Sequence, residues 1–372
     1  MLPYLLLFII VTFLFYLANK FRGKSNFFFY FLSFFSILIL SFFAGCRDST
    51  VGTDVWVYGK EVFLTAKYSN TLKQCLLYHY DIEYFYSFLN YISIKVIDDI
   101  GCALFLSQFI QTILVFLFFK RFITEVPIWL LMLCYCFLFY NVTLNLIRQG
   151  IAVAFVCYFS KFLFDRKIFL LLLSFIFCWF VHRSSAAVAI LLLYVYFVMS
   201  NELKKQIKLI VMSLFLVICG FVLFGVLIDW LSQIDGFGKY AAYGTNSSFK
   251  SSVSIASVFT RVYFLIIVLI SFFFAKYKDY KKRNYLILFL IFDFFALSLG
   301  MYTYYTSRLA MYFIILEIPF VFCIIYKSSF SVGTRSILIV CTVFVCFLNW
   351  YWINVLRGEN ATIPYTSEFL GL

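Results

Sequence analysis

Twelve apolar runs separated by polar connections constrain this 372-residue chain more than any other feature. They fall at about 2–18, 27–44, 102–119, 126–140, 150–164, 168–181, 184–199, 208–228, 254–275, 285–300, 309–326 and 336–356. A membrane span takes roughly 20 apolar residues, so the runs read as transmembrane helices. The chain is therefore expected to be an all-α, polytopic integral membrane protein of about 12 transmembrane helices. Composition leaves no room for a large soluble domain. The chain is 65% hydrophobic and 13% charged, against about 45–50% apolar and about 25% charged in soluble domains. Residues 1–372 read as a single transmembrane domain with long outer loops at about 45–101 and 229–253. The first loop is expected to fold onto the membrane surface. An interfacial helix fits 84–97, where Lys95, Asp98 and Asp99 close an apolar stretch. The second holds Gly236, Gly238, Gly244 and a Ser-rich stretch, and reads as a mobile loop. The run 2–17 has no basic residue before it and no small-residue cleavage site, as a retained first helix would.

Charge then orients the helices. The net charge of +13 is topological rather than a nucleic-acid signature, because much of it sits in short clusters between apolar runs. Lys20/Arg22/Lys24, Lys120/Arg121, Arg166/Lys167, Lys204/Lys205/Lys208, Lys276 to Arg283, and Lys327/Arg335 occupy alternate connections. Placing these in the cytoplasm leaves both termini outside. Of the eleven cysteines, all but Cys46 and Cys75 fall in apolar runs. Those two share the first long loop and could pair if it faces an oxidising compartment, but small hydrophobic cysteines are the better reading. Cys134 and Cys136, two apart, do not resemble a zinc pair. No metal site is expected. No Walker sequence, Gly-rich phosphate loop or HExxH motif appears, so nucleotide hydrolysis and zinc proteolysis lack support. No internal repeat appears either, which disfavours the symmetric architecture of many transporters.

A second basic population does not serve topology. Arg47, Arg148, Arg183 and Arg308 lie at or near outer helix ends, and Arg261 sits about two turns into a span. An arginine inside or at the lip of a bilayer is costly and usually has a partner or an anionic ligand. Snorkelling to lipid phosphates accounts for any one of them, but less well for the set. Arg148 and Gln149 open an inward-running helix, whose free amides and positive dipole end favour an anion beside the guanidinium. The 182–185 turn, His-Arg-Ser-Ser with Ser184 as a candidate cap, and Thr306-Ser307-Arg308 repeat the arrangement. Such turns suit a pyrophosphate, which arginine grips bidentately. His182 is one of only two histidines. Neutral imidazole would serve as a base or as a hydrogen-bond partner, and a structural role competes evenly.

The first loop adds acids. Thr53 is placed to cap a helix starting at Asp54, and Asp54, Tyr58 and Glu61 then share a face. A carboxylate beside aromatics could orient a sugar hydroxyl and accept its proton; the alternative is an ordinary capped surface helix. Tyr78, Tyr80, Tyr84, Tyr86, Tyr240, Tyr243, Tyr302, Tyr304 and Tyr305 crowd the same side. Interfacial belts explain some of these; the dense Tyr302 to Tyr305 stretch favours a binding role. Asp293 and Glu317 sit at similar depth in consecutive spans, as a proton relay or as two carboxyls sharing one proton.

Several short stretches, in order, carry a family resemblance. They are Val51-Gly52-Thr53-Asp54 with Tyr58, then Glu83-Tyr84 with Leu89-Asn90, then Leu146-Ile147-Arg148-Gln149 with Ile151-Ala152. His182 with Ser184-Ser185-Ala186, and Arg308-Leu309-Ala310-Met311-Tyr312, continue the series. Together they resemble the EpsG family of exopolysaccharide polymerases and Wzy-type O-antigen polymerases. Extra residues between Tyr58 and Glu83 depart from the pattern. The resemblance implies a multi-pass glycosyltransferase of the inner membrane, with a GT-C-like architecture. It would transfer a glycan from polyprenyl (undecaprenyl) pyrophosphate onto the sugar of another lipid-linked repeat unit at the periplasmic face. A chain-length-determining co-polymerase is implied as a partner, and nucleic acid is not. The donor bond is already activated, so no cofactor is required in principle. Asp54, His182, Arg148 and Arg308 are then the candidate catalytic residues. Arg47, Tyr58, Glu83, Gln149, Arg183, Arg261, Tyr304 and Tyr305 are the candidate substrate-binding residues.

A lipid-linked oligosaccharide flippase or other transporter competes with this reading, as do an O-antigen ligase and an acyltransferase. A transporter places its decisive charges at the midplane, as Asp293 and Glu317 are. A transferase gathers Arg, His and acid at one face. Topology reporters fused at Arg148 and Lys281 are expected to report opposite sides, Arg148 outside. A cytoplasmic Arg148 would take the proposed site apart.

Overall fold

The computed structural model describes residues 1–78, 82–232, 254–273 and 279–372. The loop expected at 229–253 therefore lies almost wholly outside the described residues, as do Tyr80, Tyr240, Tyr243 and Lys276. All regular structure among the described residues is helical, with no strand. The protein is a polytopic membrane protein. Nine helices among the described residues are long and apolar enough to cross a membrane. Each of the twelve expected runs corresponds to a helix. The three that fall short are Ile168–Val181 and Ser185–Met199, which are shorter, and Tyr280–Leu299, which opens on Lys281, Lys282 and Arg283.

The chain divides into two compact units: residues 1–186 with 346–372, and residues 187–345. In the first unit α1 (Leu2–Phe21) and α2 (Asn26–Gly45) pack together, and α2 also packs on α6 (Ile100–Phe119). The sequence of α2 shows why. Its buried face carries Ser33, Ser36, Ile37, Leu40 and Ser41, while Phe27, Phe31, Phe34 and Phe35 are exposed. Small residues let helices approach closely where lipid is as apolar as the side chains, so the bulky rings face outward. The three serine hydroxyls donate to carbonyls four residues earlier, which leaves none unsatisfied in the helix contact. At the α2–α6 crossing Gly45 and Gly101 touch. A Cβ on Gly101 would stand 2.6 Å from the Gly45 carbonyl oxygen.

The connection between α2 and α6 is not a loop but a folded layer. It contains a π-helical turn (Val55–Gly59), α3 (Lys60–Tyr68), α4 (Leu72–Tyr78) and α5 (Tyr84–Val96). A helix does form at the stretch expected over 84–97: it is α5, which packs on α3, α4 and α6. Cys46 and Cys75 are both free, in line with the small-hydrophobe reading. Cys75 is buried in α4 with its thiol directed at the Ser87 carbonyl of α5, and Cys46 ends α2.

The chain then runs through α7 (Ile128–Tyr135), a π-turn and α8 (Asn141–Asn145), breaks at Leu146, and continues as α9 (Ile147–Phe164) and α10 (Ile168–Val181). Leu146 leaves helical geometry at φ −87°, ψ 67°, so a single residue separates α8 from α9. Basic connections meet at one end of this unit: Arg22 donates to the Ile123 carbonyl, Lys120 to Tyr30, and Arg121 pairs with Asp165. The Leu146 turn belongs to the other end, where the C-terminal segment also folds. Tyr4 donates to the Thr362 carbonyl at 2.9 Å, and Asn141 links Thr362 to Trp350.

In the second unit, α11 (Ser185–Met199) leads to α12 (Leu203–Ser232), α13 (Ile255–Phe273), α14 (Tyr280–Leu299), a short α15 (Tyr304–Ser307), α16 (Ala310–Lys327) and α17 (Val332–Trp350). The first residues of α11 and the last of α17 belong to the first unit. Helix α14 packs against α12, α13 and α16.

Replacing Gly101 by Val should lower the melting temperature in detergent by several degrees, because overpacking costs about 1–3 kcal/mol. Gly333→Ala, where an added Cβ meets nothing within 4 Å, should not lower it. Equal melting temperatures for both variants would contradict the close α2–α6 approach.

Candidate functional site

The site grows from the antiparallel pair α9 and α10. Arg148 lies in the first turn of α9 and His182 is the residue that ends α10, so the two come to the same end of the first unit. Glu83 is inserted between them by its neighbour. The ring of Phe85 meets Phe155 of α9 at 5.5 Å and Phe177 of α10 at 6.1 Å, both edge to face. That wedge fixes the start of α5 over the gap between α9 and α10. Glu83, at the N-terminus of α5, turns its carboxylate away from the helix amides and into the gap. One oxygen accepts from Arg148 at 2.6 Å, and the other is bonded to Nδ1 of His182. The carboxylate is only 8% exposed.

Burial by itself raises such a carboxyl. The hydrogen bond and charge of His182, with the charge of Arg148, outweigh it and hold Glu83 at about 2 against an ordinary 4.5. Bound through Nδ1, the His182 ring presents Nε2 away from Glu83.

Tyr58 floors the cluster. Its ring lies under the Arg148 guanidinium at 4.1 Å, and its hydroxyl donates to Asp54. It meets Tyr86 edge to face at 5.9 Å. Burial first, then the Asp54 carboxylate, pushes the Tyr58 phenol well above its ordinary range, so it stays a donor. The shared face expected for Asp54, Tyr58 and Glu61 is only half formed. The π-helical turn inserts extra arc, and Glu61 emerges exposed. Thr53 does not cap that helix. Its hydroxyl donates to Asn145 Oδ1 at 2.7 Å, and the Asp54 amide joins it at 3.3 Å. Gly52 precedes them at φ +92°, where a Cβ would strike the Leu144 carbonyl at 2.8 Å; glycine is required there on both counts.

The other candidates are distributed as follows. Gln149 is buried beside Arg148 in α9, and Arg183 is exposed with no ion pair among the described residues. Arg47 is buried and spends its terminal nitrogens on helix-end carbonyls, Ala44 at 3.2 Å and Leu144 at 2.9 Å. It braces the ends of α2 and α8. Arg261 lies in the second unit, where it grips Asp293 bidentately at 2.8 and 3.1 Å and donates to the Ser257 carbonyl. Glu317 is fully buried in the same unit. The expected carboxyl pair is thus built around an arginine. Arg308 is half-buried in the turn between α15 and α16. Tyr304 and Tyr305 form the backbone of α15, and their side chains lie outside the described ones.

Arg148 keeps one further donor. Its Nε is buried with no hydrogen-bond partner. A cation held by one carboxylate, with a spare N–H beside an oriented imidazole, is equipped to hold an anionic group and move a proton next to it.

The EpsG family model matches residues 30–367. The chain belongs to the EpsG family. No curated protein and no solved structure matches it. The match spans the whole EpsG-like series, from the Val51 to Asp54 stretch to the Arg308 turn, and takes in most of the C-terminal segment. The sequence pattern marked Glu83 as one binding residue among several. Its place at the centre was not visible, because Phe85, the residue that sets it there, reads only as another apolar position.

Glu83→Gln should destabilise the folded protein by roughly 3 kcal/mol, the equivalent of the displaced carboxyl. A depressed carboxyl stabilises above pH 4.5, and that contribution is lost as pH falls through about 2. The melting-temperature gap between wild type and variant should be full at pH 7 and shrink between these values. A gap unchanged down to pH 3 would contradict the charged bridge.

Proposed function

We propose that this EpsG-family protein is a polysaccharide polymerase of the inner membrane, transferring a glycan from polyprenyl pyrophosphate onto another lipid-linked repeat unit at the outer face. The observation that supports this best is the Glu83 bridge, which sets a guanidinium and an imidazole side by side. In the reaction the acceptor hydroxyl oxygen bonds to the anomeric carbon of the donor sugar. The carbon–oxygen bond to the pyrophosphate breaks, and the pyrophosphate departs on its lipid with the electron pair.

Each residue has a part in this scheme. Arg148, through its unpartnered Nε and its charge, holds the pyrophosphate and stabilises the charge that grows as it leaves. His182 takes the acceptor proton at Nε2 while Glu83 holds Nδ1. Asp54 acts through Tyr58, keeping that ring beneath Arg148. Arg183, exposed at the start of α11, is the second cation available to the pyrophosphate. The proton acceptor is therefore assigned to His182 rather than Asp54, whose carboxylate is engaged by the Tyr58 hydroxyl.

The transporter reading draws on the buried carboxyls Asp293 and Glu317. Arg261 answers the Asp293 charge with a two-pronged bond inside the same unit. A closed bidentate pair of this kind suits a helix lock better than a proton path.

Arg148→Lys should abolish long glycan chains, leaving a single capped repeat unit, while the protein stays in the membrane. Lysine neither stacks flat on Tyr58 nor offers a planar guanidinium to Glu83 and the pyrophosphate. His182→Gln, which preserves a hydrogen bond to Glu83, should slow chain growth by about 10²–10⁴-fold. Normal glycan ladders in both variants would remove the cluster from the reaction. Absence of all surface glycan, with lipid-linked units accumulating inside, would mark a flippase.

A further inference from the structure

The first unit holds a cavity that the Arg148 cluster does not use. It has a volume of about 850 Å³ and opens where α2 ends and α6 begins. Ligand pockets occupy roughly 300–1,000 Å³, so the space is ample for a small ligand. Asp48, Lys60, Asp99, Glu368, Phe105 and Phe369 line it.

Its walls are built from ordered contacts. Asp99 accepts from the Gly101 amide at 2.6 Å, which starts α6 beside the Gly45–Gly101 crossing. The C-terminal segment forms the opposite wall. Asp48 donates its amide to the Thr366 carbonyl and accepts the Glu368 amide, both at 3.0 Å. Ser367 adds a hydroxyl bond to the Cys46 carbonyl. These bonds present Phe369 with 75% of its surface exposed and only one edge against Phe42.

Charge decides which ligand such a cavity takes. Arg47 reaches the wall, but its terminal nitrogens are occupied by two carbonyls. Two cations, Lys60 and Arg47, then face three carboxylates, Asp48, Asp99 and Glu368, none of which has an ion-pair partner among the described residues, so the lining keeps a net negative charge. A pyrophosphate would be repelled by that balance. Carboxylates accept hydroxyl hydrogens, and an open aromatic face packs against the C–H face of a sugar ring. The contrast with the Arg148 cluster is therefore chemical: one place suits the anionic leaving group, the other a polyhydroxylated, uncharged chain. The two are joined by Arg47, which spans from the cavity wall to Leu144, four residues before Arg148.

We infer that the cavity between the ends of α2 and α6 and the C-terminal segment is a glycan subsite, binding an uncharged oligosaccharide stretch of the chain handled at Arg148. Its use in chain growth rests on the polymerase reading; sugar binding does not. The full-length protein in nanodiscs should bind oligosaccharides released by mild acid from the producing cell's own lipid-linked pool, read by calorimetry or saturation-transfer NMR. Glu368→Gln combined with Phe369→Ala should weaken that binding by about tenfold or more, with no change in melting temperature. Arg148→Lys should leave it within about twofold, and inorganic pyrophosphate should not compete. In cells the double variant should still join a first pair of units but give shorter chains. Absence of saturable binding, binding indifferent to the double variant, or displacement by pyrophosphate would each overturn the subsite. Absence of all surface glycan in cells lacking the protein, with lipid-linked units accumulating inside and oligosaccharide binding intact, would instead remove the polymerase reading and leave the subsite standing.

Discussion

The Glu83 carboxylate is one buried negative charge shared by two groups, Arg148 and His182, that would otherwise drift apart. Removing one partner from a buried ion pair is costly because the other is left uncompensated, so the three groups stand or fall together. Glu83 reaches this position through packing. Phe85 is locked between α9 and α10, and α5 starts where that lock leaves it. An apolar contact inside the helix layer thus sets the geometry of a polar cluster at its edge. Tyr58 completes the arrangement from the other side and ties it to Asp54.

The same end of the first unit is braced by groups that take no part in that cluster. Arg47 caps two helix ends, Asn145 receives Thr53 and the Asp54 amide, and the C-terminal segment is held by Tyr4, Asn141 and Asp48. Helix ends leave carbonyls and amides unpaired, and a one-residue turn such as Leu146 leaves many in a small space. Side chains from distant parts of the chain satisfy them. That explains why polar residues near helix ends outnumber those in the Arg148 cluster, and why a position at a helix end does not by itself identify a binding residue.

Arginine takes two forms in this protein. Arg261 has its fork closed on Asp293 and a third bond to its own helix, as expected for a cation surrounded by apolar helices. Arg148 has a carboxylate, an aromatic face and one unused N–H. The difference lies in how much hydrogen-bonding capacity remains for a ligand.

The sequence by itself determined the helices. Twelve apolar runs in lipid have no other way to satisfy their backbone groups, so class and approximate boundaries were legible residue by residue. The ordered short motifs carried the family, and they named Asp54, Glu83, Arg148 and His182 as residues of interest. Which of the arginines share a site was not legible. Arg47, Arg148 and Arg261 look alike along the chain, each a cation near or in an apolar run. Only the tertiary structure decided that Arg47 faces carbonyls, Arg261 faces Asp293, and Arg148 faces a carboxylate it shares with a histidine. Partners for a buried charge come from helices far apart in sequence, and which helices meet depends on side-chain shape at crossings such as Gly45–Gly101 and Phe85, which no local pattern records.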